Sequence, residues 1–132
     1  MAKYWKGEHT THKLRYHLVW IPKYRKRILK GKIASHLKGL FFEACRMNKW
    51  WIEELAIQED HVHMIIQLWP RESVSEVVQK LKGGTSRVIR SAHPELEEFL
   101  WGDSFWADGY FAETIGTVCE EAVKKYVRNQ RQ

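Results

Sequence analysis

The stretch at residues 59–66 decides the fold of this chain, and it reads Glu59-Asp60-His61-Val62-His63-Met64-Ile65-Ile66. Two histidines open an apolar run with the length and composition of a β-strand. Because strand side chains alternate between faces, His61 and His63 share one face and Val62 takes the other. Two imidazoles side by side are either half of a metal site or an unusual use of a strand face. From these residues alone, a structural role and metal ligation both stay open.

The patterns on either side of this stretch predict the order strand, helix, strand, strand, helix, strand, helix. This order predicts an α+β fold, a ferredoxin-like βαββαβ antiparallel sheet with an added C-terminal helix, in a single domain over residues 1–132. Such a sheet packs helices on one face and can leave the other open, so the histidines would be available there to a ligand or to the last helix. The predicted strands cover residues 12–21, 50–59, 61–69 and 105–115, the last bent around Asp108-Gly109. The predicted helices cover residues 33–47, 74–91 with an interruption at Gly83-Gly84, and 117–130.

The charge is unevenly distributed along the chain. The 22 Lys and Arg outnumber the 16 Asp and Glu, and no acid occurs between His9 and Phe42. A solvated basic loop is the simpler interpretation, but an acid-free segment with an embedded aromatic favours contact with a phosphate backbone. The candidate DNA-binding residues of this segment are Lys23, Tyr24, Arg25, Lys26 and Arg27.

Two further observations bound the class of protein. No apolar run approaches the roughly 18 residues of a membrane span, so no membrane partner is expected. Cys45 and Cys119 both fall in predicted helices and are interpreted as small buried hydrophobic residues. A reducing cytoplasm is therefore the expected location.

Other candidates have a structural and a functional interpretation. Lys82 and Arg87 flank Gly83-Gly84, which either break the helix or let backbone amides approach a phosphate. Trp106 is a possible base-stacking platform, although most tryptophans are expected in the core or at a dimer surface. The histidines without an evident partner are expected at the surface, and they are His12, His17, His36 and His93.

Five blocks, in this order, resemble the HUH single-tyrosine transposases of small bacterial and archaeal insertion sequences, the IS200-like family. The resemblance spans nearly the whole chain. The blocks are His17-Leu18-Val19-Trp20-Ile21-Pro22-Lys23-Tyr24-Arg25, Asp60-His61-Val62-His63, Lys80-Leu81-Lys82-Gly83-Gly84-Thr85-Ser86-Arg87, Trp106-Ala107-Asp108-Gly109-Tyr110-Phe111 and Lys125-Tyr126-Val127-Arg128-Asn129-Gln130.

This resemblance implies a role for each matching position. His61, His63 and Gln130 would bind a divalent metal ion, Mg²⁺ or Mn²⁺, and Tyr126 would be the nucleophile. The implied activity is cleavage and strand transfer of single-stranded DNA through a 5′-phosphotyrosine intermediate, at element ends that carry hairpins. The implied assembly is a homodimer whose sheets merge edge to edge. The implied location is the prokaryotic cytoplasm, at the nucleoid when the protein is bound to DNA.

Alternative interpretations remain. A domesticated or inactive hairpin-DNA/RNA-binding protein of the same fold would share these motifs. An RNA-recognition module is disfavoured because histidines occupy the face where paired aromatics would stack bases. Tyr126 follows Val118 and Ala122 at helical spacing, so it could instead belong to a packing stripe, and Gln130 lies close to the chain end.

Overall fold

A computed structural model describes residues 5–6, 11–12, 14–116 and 127–128 of the chain. The predicted metal ligand Gln130, the predicted nucleophile Tyr126 and the predicted start of the last helix at Thr117 lie outside the described residues. Val127 and Arg128 are described, and both are helical and exposed.

Between residues 14 and 115 the long elements follow the predicted order of strand, helix, strand, strand, helix and strand, while the two short strands before residue 13 and the short helix at residues 97–100 were not predicted. The elements are β1 (Trp5–Lys6), β2 (Thr11–His12), β3 (Leu14–Trp20), α1 (Gly31–Asn48), β4 (Trp51–Gln58), β5 (His61–Leu68), α2 (Val74–Ala92), α3 (Glu97–Leu100) and β6 (Phe111–Ile115). Short 3₁₀ turns at Lys23–Arg25 and Pro94–Leu96 join them.

Four strands form the main sheet, in the order β4-β5-β3-β6, and each neighbouring pair is antiparallel. β3 and β4 are both antiparallel to β5, so α1 connects two parallel strands with β5 between them. α2 likewise connects β5 to β6 across β3. This split arrangement of crossovers is the ferredoxin-like topology, and the predicted α+β fold class is confirmed. β1 and β2 pair separately as a two-stranded ladder.

The core lies between one face of this sheet and the two long helices. Period-two alternation buries Val62, Met64, Ile66 and Leu68 completely, as predicted for the inner face of β5. α1 and α2 supply buried residues at helical spacing, namely Ile33, Leu37, Phe41 and Cys45 in α1 and Val77, Val78, Leu81, Thr85 and Ile89 in α2. Burial raises the pKa of the Cys45 thiol to about 12, so this cysteine behaves as a core hydrophobic residue.

The predicted interruption of the second helix is wrong. α2 runs without a break from Val74 to Ala92 across Gly83-Gly84. Its buried residues continue on both sides of the glycines, and Thr85 Oγ1 donates to the Leu81 carbonyl at 2.6 Å. Packing of the amphipathic face therefore outweighs the roughly 1 kcal/mol that each helical glycine costs relative to alanine.

The predicted fourth strand is shorter than expected. Within residues 105–115 only Phe111–Ile115 is strand, and Trp106 makes an isolated bridge with Pro22. Gly109 has a φ of +82°, which places it in the left-handed region. The carbonyls of Ala107 and Gly109 accept from Lys82 Nζ, at 2.7 and 2.9 Å, instead of joining a ladder.

None of the described helices is long and apolar enough to span a bilayer.

Candidate functional site

The two histidines of β5 lie on the face of the sheet opposite the buried residues Val62 and Met64. His63 is paired with Val19 of β3 and Ala56 of β4, and His61 is paired with Gln58. Both imidazoles are partly exposed, whereas Val62 between them is fully buried. The predicted division of β5 into a packing face and a histidine face is therefore confirmed.

A carboxylate directly precedes the first histidine and holds it. The Nδ1 of His61 lies 2.9 Å from Oδ1 of Asp60, and Arg25 Nε donates to Oδ2 of the same carboxylate at 3.0 Å. The hydrogen bond with His61, followed by the one from Arg25, holds the pKa of Asp60 below its usual value. Because an ionised carboxylate only accepts, the hydrogen of this contact is on Nδ1, and Nε2 is the nitrogen whose lone pair a neutral imidazole offers to a metal. That tautomer is the one a metal-binding histidine uses.

A third imidazole contacts the second histidine. His17 of β3 meets His63 edge to face, with ring centroids 4.3 Å apart and an interplanar angle of 87°. The Nδ1 of His17 lies 3.2 Å from Glu113 Oε1, and its Nε2 is sealed from solvent without a hydrogen-bond partner in the described part of the chain. His17 was expected to be a surface residue without a partner, and that expectation is wrong. Adjacent antiparallel strands bring the two rings together, which spacing along one strand could not reveal.

The donor set fits a divalent ion in part. Across residues 14–116 and 127–128, no group of three or more His, Cys, Asp or Glu side chains is arranged to hold a metal. His61 and His63 provide two imidazoles on one face, and the first is already oriented by a carboxylate. The third ligand inferred from the sequence, Gln130, lies outside the described residues. Two imidazoles with open positions beside them suit Mn²⁺ and related ions.

The basic segment forms a tight turn beside this face. Lys23–Arg25 is a 3₁₀ turn, and Tyr24 and Arg25 have positive φ values of 59° and 53°. Tyr24 donates its hydroxyl to the carboxylate of Asp103, and this hydrogen bond raises the pKa of the phenol. Arg27 Nε lies 3.7 Å from Glu59 Oε1, yet the side chains of Arg25 and Arg27 remain 70% and 71% exposed. Each of the five candidate residues of this segment thus has a specific neighbour, and the neighbour of Lys26 is the ring of Trp101.

Lys82 and Arg87 of α2 have different surroundings. The ammonium of Lys82 donates to the two loop carbonyls of Ala107 and Gly109, and burial lowers its pKa. Arg87 is exposed and lines an open depression on α2 together with Gly83 and Gly84. The structure therefore ties Lys82 to the loop before β6 and leaves Arg87 at the surface.

Trp106 is not a stacking platform. It is 4% exposed, packs edge to face on Trp20 with centroids 6.1 Å apart, and donates its indole N–H to Thr85 Oγ1 at 3.1 Å. Trp101, by contrast, is 77% exposed. Sequence reasoning missed Trp101, because Trp101 and Trp106 occur in similar aromatic surroundings and no local signal separates them.

The remaining histidines also differ from expectation where they are described. His36 Nδ1 lies 3.0 Å from His93 Nε2, and His93, the residue that ends α2, is buried. These two histidines were expected at the surface without partners. Instead they contact each other, and neither of them contacts His61 or His63 in the described structure.

Comparison with known proteins agrees with this architecture. The family model described as "Transposase IS200 like" matches residues 10–130. The chain therefore belongs to the IS200-like transposase family, a class of DNA-processing enzymes. The resemblance seen in the five sequence blocks is confirmed.

Individual relatives cover most of the chain. The ISDra2 transposase TnpA of Deinococcus radiodurans is 31% identical over 125 residues, which are 95% of this chain and 89% of the relative. The transposase for insertion sequence element IS200 of Salmonella typhimurium is 28% identical over 122 residues, which are 92% of this chain and 80% of the relative.

Solved structures share the fold. A crystal structure of a Deinococcus radiodurans protein described as a transposase has a TM-score of 0.79 and 30% identity, and covers 96% of this chain and 97% of that chain. A REP-associated tyrosine transposase bound to a REP hairpin has a TM-score of 0.58 and 13% identity, over 96% of this chain and 68% of that chain. The second comparison concerns the fold alone.

Proposed function

We propose that this protein cleaves and rejoins single-stranded DNA, with Tyr126 as nucleophile and a divalent metal ion held by His61, His63 and Gln130. The observation that carries the proposal is the pair of histidines on one face of β5, the first with its Nδ1 on Asp60. Family membership supports the same reaction class. Tyr126 and Gln130 enter from the sequence blocks alone.

The metal ligands would use the lone pairs that the neighbouring residues leave available. Asp60 keeps the hydrogen of His61 on Nδ1, so Nε2 is the ligating nitrogen. A bound Mg²⁺ or Mn²⁺ would supply charge neutralisation at a non-bridging phosphate oxygen. His17 contacts the ring of His63 and limits its rotation. Both histidines therefore have a neighbour that fixes their orientation in advance of metal binding.

The proposed covalent step exchanges one phosphodiester for another. The Tyr126 oxygen loses its proton to solvent and attacks phosphorus, the bond to the leaving 3′-oxygen breaks, and that oxygen takes up a proton. The products are a 5′-phosphotyrosine ester and a free 3′-hydroxyl. A 3′-hydroxyl attacking the ester reverses the reaction, so rejoining needs no external energy source.

The DNA partner in this proposal is a single strand with hairpins at the ends of an element. Single-stranded substrate avoids the free-energy cost of opening a duplex. The exposed guanidinium groups of Arg25 and Arg27 beside the histidine face suit a phosphate backbone. A hairpin is also the ligand named for the REP-associated neighbour of the same fold. We propose a homodimer as the assembly, because β4 and β6 are the edges of the described sheet and unpaired edges can pair with another copy.

A covalent-adduct assay tests the proposal. Wild type and Tyr126→Phe are incubated with labelled single-stranded DNA from the ends of the protein's own element, with Mn²⁺, with Mg²⁺ or with chelator, and resolved on a denaturing gel. We expect a metal-dependent protein–DNA band that disappears in Tyr126→Phe, because that change removes only the attacking oxygen.

A variant of a proposed metal ligand and a control variant test the metal site. His61→Ala is expected to abolish metal-stimulated cleavage while retaining hairpin binding. Met47→Ala, an exposed change on α1, is the matched control and should behave as wild type. Hairpin binding without any adduct would contradict the proposed reaction and favour the non-catalytic hairpin-binding alternative.

A further inference from the structure

Two exposed aromatic rings lie on one surface beside the basic turn. The Tyr24 side chain is 57% exposed and the Trp101 side chain 77% exposed. Each ring has a lysine ammonium near it, with Lys23 Nζ 5.7 Å from the Tyr24 centroid and Lys26 Nζ 5.8 Å from the Trp101 centroid. The surface therefore repeats one arrangement twice, an exposed aromatic side chain with a lysine ammonium over its ring.

Hydrogen bonds hold this surface in place. The Tyr24 hydroxyl donates to Asp103, and the Lys23 amide donates to the Phe105 carbonyl at 2.8 Å, so the basic turn is tied to the segment after α3. Within that segment the Trp101 amide donates to the Glu97 carbonyl at 3.0 Å. The two rings are thus presented on fixed backbone, which lowers the entropy that binding must overcome.

The backbone of this surface is also strained. Tyr24, Arg25 and Trp101 have φ values of 59°, 53° and 48°, and they are three of the four non-glycine residues with positive φ in the described part of the chain. A non-glycine residue in this region costs roughly 1–2 kcal/mol. At Trp101 the positive φ has a local cause, because this residue ends α3 and its amide bonds to the Glu97 carbonyl. Tyr24 and Arg25 lie at the 3₁₀ turn, and a strained turn with exposed side chains fits a surface shaped for a ligand.

The surface adjoins the histidine face. Arg25 follows Tyr24 directly and donates to Asp60, whose other oxygen holds His61. A DNA strand bound along the basic turn would therefore continue toward His61.

We propose that Tyr24 and Trp101 stack unpaired nucleobases of the DNA strand that leads to the histidine face, while Lys23 and Lys26 neutralise its phosphates. This inference rests on the proposed function. A single strand alternates flat bases with charged phosphates, and alternating rings and cations match that pattern. Inside a duplex each base face is covered by the neighbouring base pair, so only the phosphates reach these rings. The aromatic pair therefore selects unpaired nucleotides.

Binding in chelator tests this without cleavage. Three labelled probes are compared by fluorescence anisotropy: a hairpin with an unpaired flank, the same hairpin with abasic sugar-phosphates in the flank, and the blunt hairpin. For the flanked probe, we expect Trp101→Ala to weaken binding by roughly 5- to 150-fold, the range that follows from losing one stacked base. Affinity for the abasic and blunt probes should not change.

Matched variants separate stacking from other causes. Phe42→Ala removes another exposed aromatic ring, 45% exposed on α1, and should leave all three affinities unchanged. Trp101→Phe keeps a ring and should recover most of the affinity. Loss of affinity from the variant and from the abasic flank should not add, because both remove the same contact.

Three results would overturn the inference. The first is equal affinity of wild type for the normal and abasic flanks. The second is an equal loss with the blunt hairpin. The third is a change of oligomeric state in Trp101→Ala by sedimentation, which would make Trp101 a protein contact. If the flanked hairpin binds equally well with and without Trp101, this inference alone is wrong. If no hairpin binds at all, the proposed function is wrong as well.

Discussion

The carboxylate of Asp60 joins His61 to Arg25, with one oxygen 2.9 Å from His61 Nδ1 and the other 3.0 Å from Arg25 Nε. The histidine belongs to a central strand and the arginine to the basic turn. One acidic residue thus orients a candidate metal ligand and positions a candidate phosphate contact. The basic turn and the candidate metal site are linked through this side chain.

Asp60→Asn should weaken Mn²⁺ binding by about 10- to 100-fold, the usual effect of losing a carboxylate behind a metal-binding histidine. The amide is weaker as an acceptor and can present its NH₂ group instead, so the His61 tautomer is no longer fixed. Titration calorimetry with Mn²⁺ measures the change. Glu59→Gln is the control, since in the described structure the Glu59 carboxylate pairs with Arg27 and not with a histidine. An equal loss there would refute a specific role for Asp60.

His17→Ala should lower Mn²⁺ affinity, and His17→Phe should restore most of it. The reason is that the ring of His17 contacts His63, while its Nε2 has no hydrogen-bond partner in the described residues. Phenylalanine keeps the ring and removes the buried Nε2 that has no partner. It also removes the contact of Nδ1 with the exposed carboxylate of Glu113, so the free energy of unfolding should change little. An equal loss of Mn²⁺ affinity in both variants would show that the nitrogen itself is required.

Gly83→Ala and Gly39→Ala should each raise the free energy of unfolding by about 0.4–1 kcal/mol. Both glycines are helical, and an added Cβ would meet nothing within 4 Å. Urea denaturation measures the gain.

The two glycine variants should differ in DNA binding. We expect only Gly83→Ala to weaken DNA binding. Gly83 lies beside Arg87, and a phosphate can approach closely there because glycine has no side chain. Unchanged affinity in Gly83→Ala would favour a glycine without a role in binding.

Lys82→Met should lower the free energy of unfolding by about 1–3 kcal/mol, since two carbonyl acceptors before β6 lose a charged donor. Faster proteolysis within residues 107–110 should accompany the loss. Lys38→Met, on the exposed side of α1, is the control and should change stability little. If Lys82→Met left the free energy of unfolding unchanged, other contacts would hold the loop.

Periodicity carries most of the fold prediction. Alternation along residues 61–68 is enough to place His61 and His63 on one face, and helical spacing defines α1 to within two residues at each end. These features depend on neighbours within one element, where the geometry of strand and helix is the same in every protein. The Gly83-Gly84 break was predicted from local propensity and failed, because packing of α2 overrides it.

By itself the sequence determined the order of elements, the shared face of His61 and His63, and the family. Only the tertiary structure decided which distant residues complete the surroundings of those histidines. Arg25 reaches Asp60 across 35 positions, and His17 meets His63 across two strands. The tertiary structure also decides that Trp106 is buried and Trp101 exposed, although the two lie five positions apart in similar local sequence. The physical reason is that periodicity encodes direction within an element, whereas burial and contact depend on how whole elements pack.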